Sequence, residues 1–287
     1  MDGLGGLFCA DCQQMLLGLS KKGELILVID GSQTAGDCVT LMLSVIWRGY
    51  VIPLAWLSRK VGKGHFPEEM HVDLVVLAQT IMPPGCRAVL LGDGEFDGLK
   101  LRRACKSFKW EFVLRTSVDR KVDCVGDLAQ LGSLSPPPGS EIVFLEDACD
   151  GDNAIYWLGK GHKDPIPLLT NMDLGEMACH YYRKRFKIET LFKQLKSAGF
   201  RLHKSKVEGA HRVKNLLIVV AFAFIFTFCM GILLKNEPPA TIARFARKDR
   251  LDLMRPITLA QKCISRAIKI AKLIFSNFSK NWEMIFT

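Results

Sequence analysis

The sequence predicts an α/β domain in which helices flank a mixed β-sheet. Three apolar runs follow one another near the N-terminus, at residues 24–30, 38–47 and 50–57. Arg48-Gly49 joins the second run to the third, and so short a connection is typical of a hairpin. We therefore expect three consecutive strands.

Helices and strands alternate in the segment that follows. Apolar residues at helical spacing predict a helix over 67–81, which two prolines end. A buried strand is predicted at 86–93, a helix at 97–108 and a strand at 111–116. The resulting order of three strands, helix, strand, helix and strand is that of a ribonuclease-H-like core.

The segment 117–170 has a different pattern. Short strand-like runs at 122–125, 141–146 and 153–158 alternate with turns, one of which contains three consecutive prolines. These runs predict a small β insertion that precedes the next helix.

Three helices are predicted after the insertion. Asp173 and Glu176 fit a capping box at the start of a long helix that runs to about 198. A hydrophobic helix over about 212–234 and a basic amphipathic helix near 257–275 follow. The predicted organisation is a short N-terminal remnant (1–23), the first part of the core (24–116), the insertion (117–170), two helices that complete the core (171–236) and a basic tail (237–287).

Charge is distributed unevenly along the 287 residues, whose formal net charge is +10. Residues 1–179 hold 17 basic and 23 acidic side chains, whereas residues 180–215 hold 11 and 2. Residues 216–234 hold none, and residues 235–287 hold 11 and 4. An acidic body with a basic C-terminal third indicates a polyanionic partner and argues against a small neutral substrate as the only partner.

The N-terminus and the cysteines indicate a reducing cytoplasm. The first residues contain neither the basic region nor the long apolar region of a secretory signal peptide. The ten cysteines are spread along the chain, mostly in apolar runs, where a thiol acts as a small hydrophobic group. Cys9 and Cys12 form one CxxC pair, but a structural zinc site usually needs two such pairs.

The uncharged segment 216–234 has two interpretations. Its 19 residues include Thr227 as the only polar one, and this length approaches the roughly 20 residues of a membrane-spanning helix. A helix that is buried on all sides of a large domain is also hydrophobic all round. We expect the buried helix, with a membrane anchor as the alternative.

Three carboxylates are candidates for the chemistry. Asp30 and Asp93 end predicted strands, and Glu189 lies in the middle of the predicted long helix. Two divalent ions held by carboxylates can support in-line displacement at a phosphodiester, and Mg²⁺ or Mn²⁺ suits an all-oxygen site. Taken singly, an aspartate at a strand end is more often a turn former.

The long helix adds a second observation. Tyr182, Arg185, Glu189 and Lys196 stand at offsets of 0, 3, 7 and 14 residues, which places them within about 60° on one helix face. That face would present a phenol, two cations and a carboxylate, groups that bind phosphate and metal. Further positive charge on the helix exceeds what ion pairing explains, at Arg183, Lys184, Lys187 and Lys193.

This spacing, Tyr-x2-Arg-x3-Glu-x6-Lys, resembles the C-terminal signature of bacterial insertion-sequence DDE transposases. Asp30 in IDGS, Asp93 in LLGDGEFDG and the sequence KSAGF extend the resemblance, which covers about 24–234. It implies a ribonuclease-H-like fold with a β insertion, and a metal-dependent DNA strand-transfer enzyme. It also implies that Asp30, Asp93 and Glu189 are the catalytic residues and bind two Mg²⁺ or Mn²⁺ ions.

The resemblance further implies contacts with DNA. Tyr182, Arg185 and Lys196 would contact the terminal phosphate, and Arg183 and Lys193 would add to the DNA-binding surface. The expected partners are double-stranded DNA, as element ends and target, and a second copy of the chain in a synaptic complex. The expected location is the bacterial cytoplasm, at the nucleoid.

Trp157, in the predicted insertion, is a candidate for stacking on a flipped base, because every base offers a π-face. The alternative is a tryptophan in the core of a β-sheet.

The sequence departs from the family pattern at two places. Gly94 stands where an arginine usually follows the second aspartate, and Glu95 and Asp97 lie close by; we assign Asp93 because it directly follows the apolar strand. Only 29 residues precede Asp30, whereas relatives commonly carry a DNA-end-recognition region there. The alternatives are a truncated, inactive DNA-binding remnant, a nuclease on the same fold and a membrane protein anchored by 216–234.

Overall fold

The fold is built on an eight-stranded mixed β-sheet. The computed structural model describes residues 13, 15–20, 23–60, 65–124, 126–159, 164–197, 200–236 and 256–269. The strands are β1 Glu24–Ala35, β2 Cys38–Trp47, β3 Tyr50–Lys60, β4 Arg87–Gly92, β5 Glu111–Arg115, β6 Lys121–Cys124, β7 Asp127–Gln130, β8 Ile142–Cys149, β9 Asp152–Trp157 and β10 Ile166–Thr170. The helices are α1 Glu68–Gln79, α2 Leu99–Ser107, α3 Gly175–Tyr182, α4 Lys187–Ser197, α5 Ala210–Asn236 and α6 over 256–269.

The order of strands in the sheet is β3-β2-β1-β4-β5-β10-β9-β8. Short turns join β1, β2 and β3, which therefore pair antiparallel, whereas β4 and β5 follow crossover helices and pair parallel to β1 and to each other. The centre of the sheet is buried, because residues 25–29 of β1 and 88–91 of β4 are continuous apolar runs. The predicted ribonuclease-H-like mixed sheet with flanking helices is confirmed.

The β insertion continues the main sheet over much of its length. The strands β10, β9 and β8 extend the sheet beyond β5, since β10 pairs antiparallel with β5. Only β6 and β7 form a separate two-stranded sheet. This pairing covers the edge of β5, which would otherwise present unpaired backbone groups.

The predicted long helix over 173–198 is wrong as a single element. A turn at 183–186 separates α3 from α4, and its hydrogen bonds have i→i+3 spacing, as from Arg185 N to Tyr182 O at 2.9 Å. The predicted capping box is also wrong, because the N-cap is Leu174 and no side chain caps it. Residue 198 lies outside the described residues.

The chain divides into two compact units. The first comprises residues 1–196 and 202–214 and contains the sheet. The second comprises residues 197–201 and 215–287, so the division falls within α5 and at the end of α4.

The apolar helix α5 differs from the prediction of a helix buried on all sides. Within the described residues it is long and apolar enough to cross a membrane, by length and composition alone, and a third of its most hydrophobic window is buried. Four large apolar side chains on it are more than half exposed, namely Val219, Phe222, Phe226 and Leu233. Its uniform hydrophobicity therefore does not correspond to uniform burial.

The remaining predictions concern the tail and the cysteines. Helix α6 buries an apolar face that includes Ile257, Leu259 and Ala260, as its amphipathic pattern predicts, and the predicted part beyond 269 lies outside the described residues. The eight cysteines in the described ranges are free thiols. Cys9 and Cys12 lie outside those ranges.

Candidate active site

Asp30 and Asp93 lie beside each other on two neighbouring parallel strands. Val28 of β1 is opposite Leu91 of β4, so two residues further along, on the same face, Asp30 comes next to Asp93. Asp93 directly follows β4, as predicted. Asp30 does not end its strand, because β1 continues to Ala35 in pairing with β2; only the pairing of β1 with β4 ends before it.

Each aspartate has a glycine neighbour that the packing requires. A Cβ atom at Gly31 would lie 2.5 Å from Phe66 Cε2, and one at Gly92 would lie 2.8 Å from Phe96 Cβ. These close approaches fix the backbone next to both carboxylates. Gly31 N also donates to Asp30 Oδ1 at 2.7 Å.

Arg185 connects the three predicted catalytic carboxylates. Its Nη2 atom lies 3.0 Å from Asp93 Oδ2 and 3.3 Å from Asp30 Oδ2, and its Nη1 atom lies 4.0 Å from Glu189 Oε1. Arg185 is only 8% exposed. Its position follows from the turn at 183–186, which directs it to the sheet rather than to the outer face of a continuous helix.

Burial is the largest influence on the pKa of Asp30 and raises it to about 6. The positive charge of Arg185 lowers this pKa, and the negative charge of Asp93 raises it further. The carboxylate of Asp30 thus lies where solvent is scarce, and the guanidinium of Arg185 compensates for part of its charge.

Helix α4 presents the remaining predicted residues along one face. Glu189 and Lys193 are exposed and Lys196 is partly exposed, and their spacing of i, i+4 and i+7 places them within about 60°. The opposite face is buried through Ile188 and Leu195. The predicted face therefore exists from Glu189 onwards, whereas Tyr182 and Arg185 precede α4.

Tyr182, which is predicted to contact a DNA phosphate, lies in the interior in this structure, so such a contact would require its side chain to become exposed. Its side chain is 1% exposed, and burial raises the pKa of its phenol to about 12. The ring of Phe186 meets it edge-on with centroids 6.0 Å apart. Because Tyr182 ends α3 instead of continuing into α4, it packs in the interior beneath the turn.

Trp157 lies in the core, which agrees with the alternative to the prediction that it stacks on a flipped base. It is 2% exposed on β9, which has a strand on each side. The guanidinium of Arg183 lies 4.9 Å from the centre of its ring. Arg183, predicted to bind DNA, thus contacts Trp157 while remaining exposed at the surface.

The two acidic residues after Asp93 have other partners. Glu95 accepts a hydrogen bond from the backbone N–H of Phe66, and Asp97 forms an ion pair with Arg120. Asp93 itself accepts from Glu95 N at 3.1 Å through Oδ1, which leaves Oδ2 for Arg185. These contacts support Asp93 as the second carboxylate of the site.

A divalent metal ion suits the donor set of this site. Asp30 Oδ2 and Asp93 Oδ2 already share one cationic nitrogen, and Glu189 adds a third carboxylate beside the same guanidinium. These hard oxygen donors suit Mg²⁺ or Mn²⁺. Among the described residues no three His, Cys, Asp or Glu side chains are grouped closely enough to hold a metal as they stand. Arg185 lies against all three candidate carboxylates.

Fold and site together define a ribonuclease-H-like protein with an acidic site beside its central parallel strands. A family model, that of the transposase DDE domain, matches residues 169–226, the segment that contains Arg185, Glu189 and Lys196. This match confirms the predicted resemblance to DDE transposases over residues 169–226.

Solved structures give weaker similarities. A piggyBac transposase in a synaptic complex with hairpin DNA is similar over 69% of this chain and 46% of that chain, at 12% identity and a TM-score of 0.46. Endonuclease V of Ciona intestinalis, bound to DNA containing an inosine followed by a ribo-adenosine, is similar over 69% of this chain and 99% of that chain, at 11% identity and a TM-score of 0.37. The chain thus spans less than half the length of the piggyBac transposase chain. No curated protein matches the sequence at a significant level.

The position of Arg185 was not predicted from the sequence. The turn at 183–186 has the sequence RKRF, which contains neither glycine nor proline and therefore gives no strong signal of a break in the helix. The role of Gly31 and Gly92 was also not predicted. A glycine directly beside each candidate aspartate was the available signal, since close packing against a backbone often requires glycine.

Proposed function

We propose that this protein is a DNA transposase that cuts DNA at the ends of an insertion element and joins the freed 3′-OH to target DNA. The observation that carries the proposal is the convergence of Asp30, Asp93 and Glu189 on one guanidinium, within a chain whose segment 169–226 matches the transposase DDE domain.

Asp30, Asp93 and Glu189 would hold two Mg²⁺ or Mn²⁺ ions. When bound, such ions activate the attacking oxygen and stabilise the leaving oxygen of an in-line displacement. The chain itself supplies the carboxylates on two adjacent strands, one helix that carries the third, and a buried floor that limits access of water to Asp30.

The positive side of the site would bind the DNA backbone. Lys193 and Lys196 continue the face that begins at Glu189, and residues 180–215 hold 11 basic and 2 acidic side chains. Phosphate contacts of this kind position DNA without reading its sequence. Joining requires two element ends to be held together, so we propose a homodimer in the synaptic complex, acting on chromosomal DNA in the bacterial cytoplasm.

A plasmid assay tests the proposal. The full chain is incubated with Mg²⁺ or Mn²⁺ and a supercoiled plasmid that contains the reading frame with its flanking DNA, and cleavage at the element ends is mapped. We expect Glu189→Gln to lower cleavage by at least about 100-fold, because even residues behind the metal ligands contribute about 10–100-fold. Glu176→Gln, an exposed residue of α3, is the matched control and retains activity.

Other outcomes of this assay identify the alternatives. DNA binding without cleavage by the wild-type chain would favour an inactive remnant. Cleavage without joined target DNA would favour a nuclease. Equal activity of wild type and Glu189→Gln would refute the proposed site.

The exposed apolar face of α5 favours a second candidate, a membrane-anchored protein. Expression without detergent followed by sedimentation distinguishes the two. We expect the chain in the soluble fraction, and its recovery with membranes would favour the anchor.

A further inference from the structure

Arg185 stands where a metal ion would be expected to compensate the carboxylates. One of its nitrogens, Nη2, contacts both Asp30 Oδ2 and Asp93 Oδ2, and Nη1 faces Glu189. The same three carboxylates are those proposed to bind metal. A guanidinium and a divalent cation cannot both lie between Asp30 and Asp93.

The hydrogen bonding of Arg185 is incomplete in this position. Its Nε is buried and has no acceptor within the described part of the chain. A guanidinium has five N–H donors, and a buried donor without an acceptor carries a free-energy cost. In this position, therefore, both aspartates have a hydrogen-bond donor, whereas one N–H group of the arginine has no acceptor among the described residues.

The backbone around Arg185 differs from that of a rigid helix. It belongs to the turn at 183–186, where the bonds from Lys184 N to Tyr181 O and from Lys187 N to Lys184 O span three residues. Movement of Arg185 at this turn does not require either α3 or α4 to unfold. The exposed lysines of α4 adjoin this turn, so a DNA backbone bound there would come near the guanidinium.

We propose that Arg185 is a positioning residue that exchanges between two partners: the carboxylates of Asp30 and Asp93 in the metal-free protein, and a DNA phosphate when metal is bound. This inference rests on the proposed function. Arginine binds phosphate with two parallel hydrogen bonds, so a phosphate can supply the acceptors that Nε lacks at present.

The exchange couples the binding of metal to the binding of DNA. A phosphate that takes Arg185 leaves Asp30 and Asp93 uncompensated, which raises their affinity for a cation. By linkage, metal binding must strengthen DNA binding by the same factor. The metal-free enzyme thereby keeps part of the negative charge of its acidic site compensated until DNA arrives.

Manganese binding without DNA tests the first half of the proposal. The free Mn²⁺ signal in electron paramagnetic resonance is titrated at pH 8 with the full-length wild type, Arg185→Gln and the control Arg103→Gln, an exposed arginine of α2. We expect Arg185→Gln to bind Mn²⁺ at least about tenfold more tightly, a change of about 1.4 kcal/mol. The control is expected to match wild type. Unchanged or weaker binding by Arg185→Gln would overturn the proposal.

A second titration gives a decisive result from the wild type alone, with Arg185→Gln as a further comparison. Mn²⁺ affinity is measured with and without a short duplex of arbitrary sequence, with the duplex alone as a blank. We expect the duplex to tighten Mn²⁺ binding to wild type several-fold and to have no such effect on Arg185→Gln. Equal affinity of wild type with and without duplex would contradict the exchange. Absence of Mn²⁺ binding in every sample would instead refute the metal site, and with it the proposed function.

Discussion

Two buried arginines in this protein are surrounded by aspartates, and they differ in how completely their hydrogen bonds are satisfied. Arg102 on α2 is 1% exposed and donates through all three nitrogens: Nε to Asp97 O at 3.1 Å, Nη1 to Asp152 and Nη2 to Asp150 Oδ2 at 2.8 Å. Arg185 is 8% exposed, reaches two aspartates with one nitrogen and leaves Nε without an acceptor in the described residues.

The difference separates a structural ion cluster from a functional one. The Arg102 cluster fixes α2 to the hairpin of β8 and β9, with Lys106 Nζ placed 2.5 Å from Asp152 Oδ1. Its central side chains, Arg102 and Asp152, are buried, and each of the three guanidinium nitrogens of Arg102 has an acceptor. The Arg185 cluster has a half-open side, since the side chain of Glu189 is 65% exposed. A buried arginine that has an N–H group without an acceptor, and that lies close to solvent, is suited to exchange one binding partner for another.

Replacing Arg102 should have the largest effect on stability. We expect Arg102→Met to lower the free energy of unfolding by about 3–5 kcal/mol, because Asp152 would remain buried without its main partner. Urea denaturation measures this change. Arg103→Met, at an exposed position of the same helix, should stay within about 0.5 kcal/mol of wild type.

The stability of Arg185→Met can be compared directly with that of Arg102→Met. We expect Arg185→Met to cost less than half as much stability as Arg102→Met, because Asp93 remains partly exposed and Glu189 mostly exposed. If both arginine variants lost equal stability, the two clusters would be equivalent and the functional distinction would be wrong.

The pH dependence of stability should reveal Asp30. Its pKa of about 6 in the folded protein lies above the ordinary value of 3.8, so the folded state binds the proton more tightly than the unfolded state. Stability from this group is therefore present at pH 4 and is lost as pH rises through about 6. We expect metal-free Asp30→Asn to be more stable than wild type at pH 8, by about 1–3 kcal/mol, and the difference to vanish toward pH 4.

Chemical denaturation at pH 4, 6 and 8 without metal measures this difference, with the exposed Asp119→Asn as the matched control. A difference between Asp30→Asn and wild type that is constant with pH would show that Arg185 fully compensates Asp30.

The smallest expected effect concerns Arg183, the neighbour that covers Trp157. Arg183→Gln removes a cation–π contact of 4.9 Å and should cost about 0.5–1 kcal/mol in thermal unfolding. It should leave Mn²⁺ affinity unchanged, in contrast to Arg185→Gln. A change in Mn²⁺ affinity would indicate that general positive charge, rather than the position of Arg185, controls the site.

The parts of the fold predicted correctly are those encoded by local patterns. The apolar runs of β1 and β4 predicted buried strands, and the strand after which Asp93 stands was recognised from its composition alone. Helical periodicity across Tyr182 to Lys196 was misleading, because it continues through the turn at 183–186, at which Arg185 pairs with Asp30 and Asp93. Such pairing depends on residues more than 90 positions apart, which a local pattern does not record.

Burial was the other property that the sequence did not predict. Trp157 and Tyr182 belong to residue types that serve equally in a core and in a binding surface, and only packing assigns them to the core. Conversely, the uniform hydrophobicity of α5 suggested complete burial, although Phe222 and Phe226 remain exposed. The type of a residue limits the roles that its side chain can have, whereas the packing around it determines which of these roles it has in the folded protein.

The most direct test of the site is a crystal structure of the full chain with Mn²⁺ and duplex DNA, with an anomalous difference map at the manganese edge. We expect anomalous density among Asp30, Asp93 and Glu189, with the guanidinium of Arg185 moved onto a phosphate. Density elsewhere, with Arg185 still bridging Asp30 and Asp93, would contradict the proposed metal site.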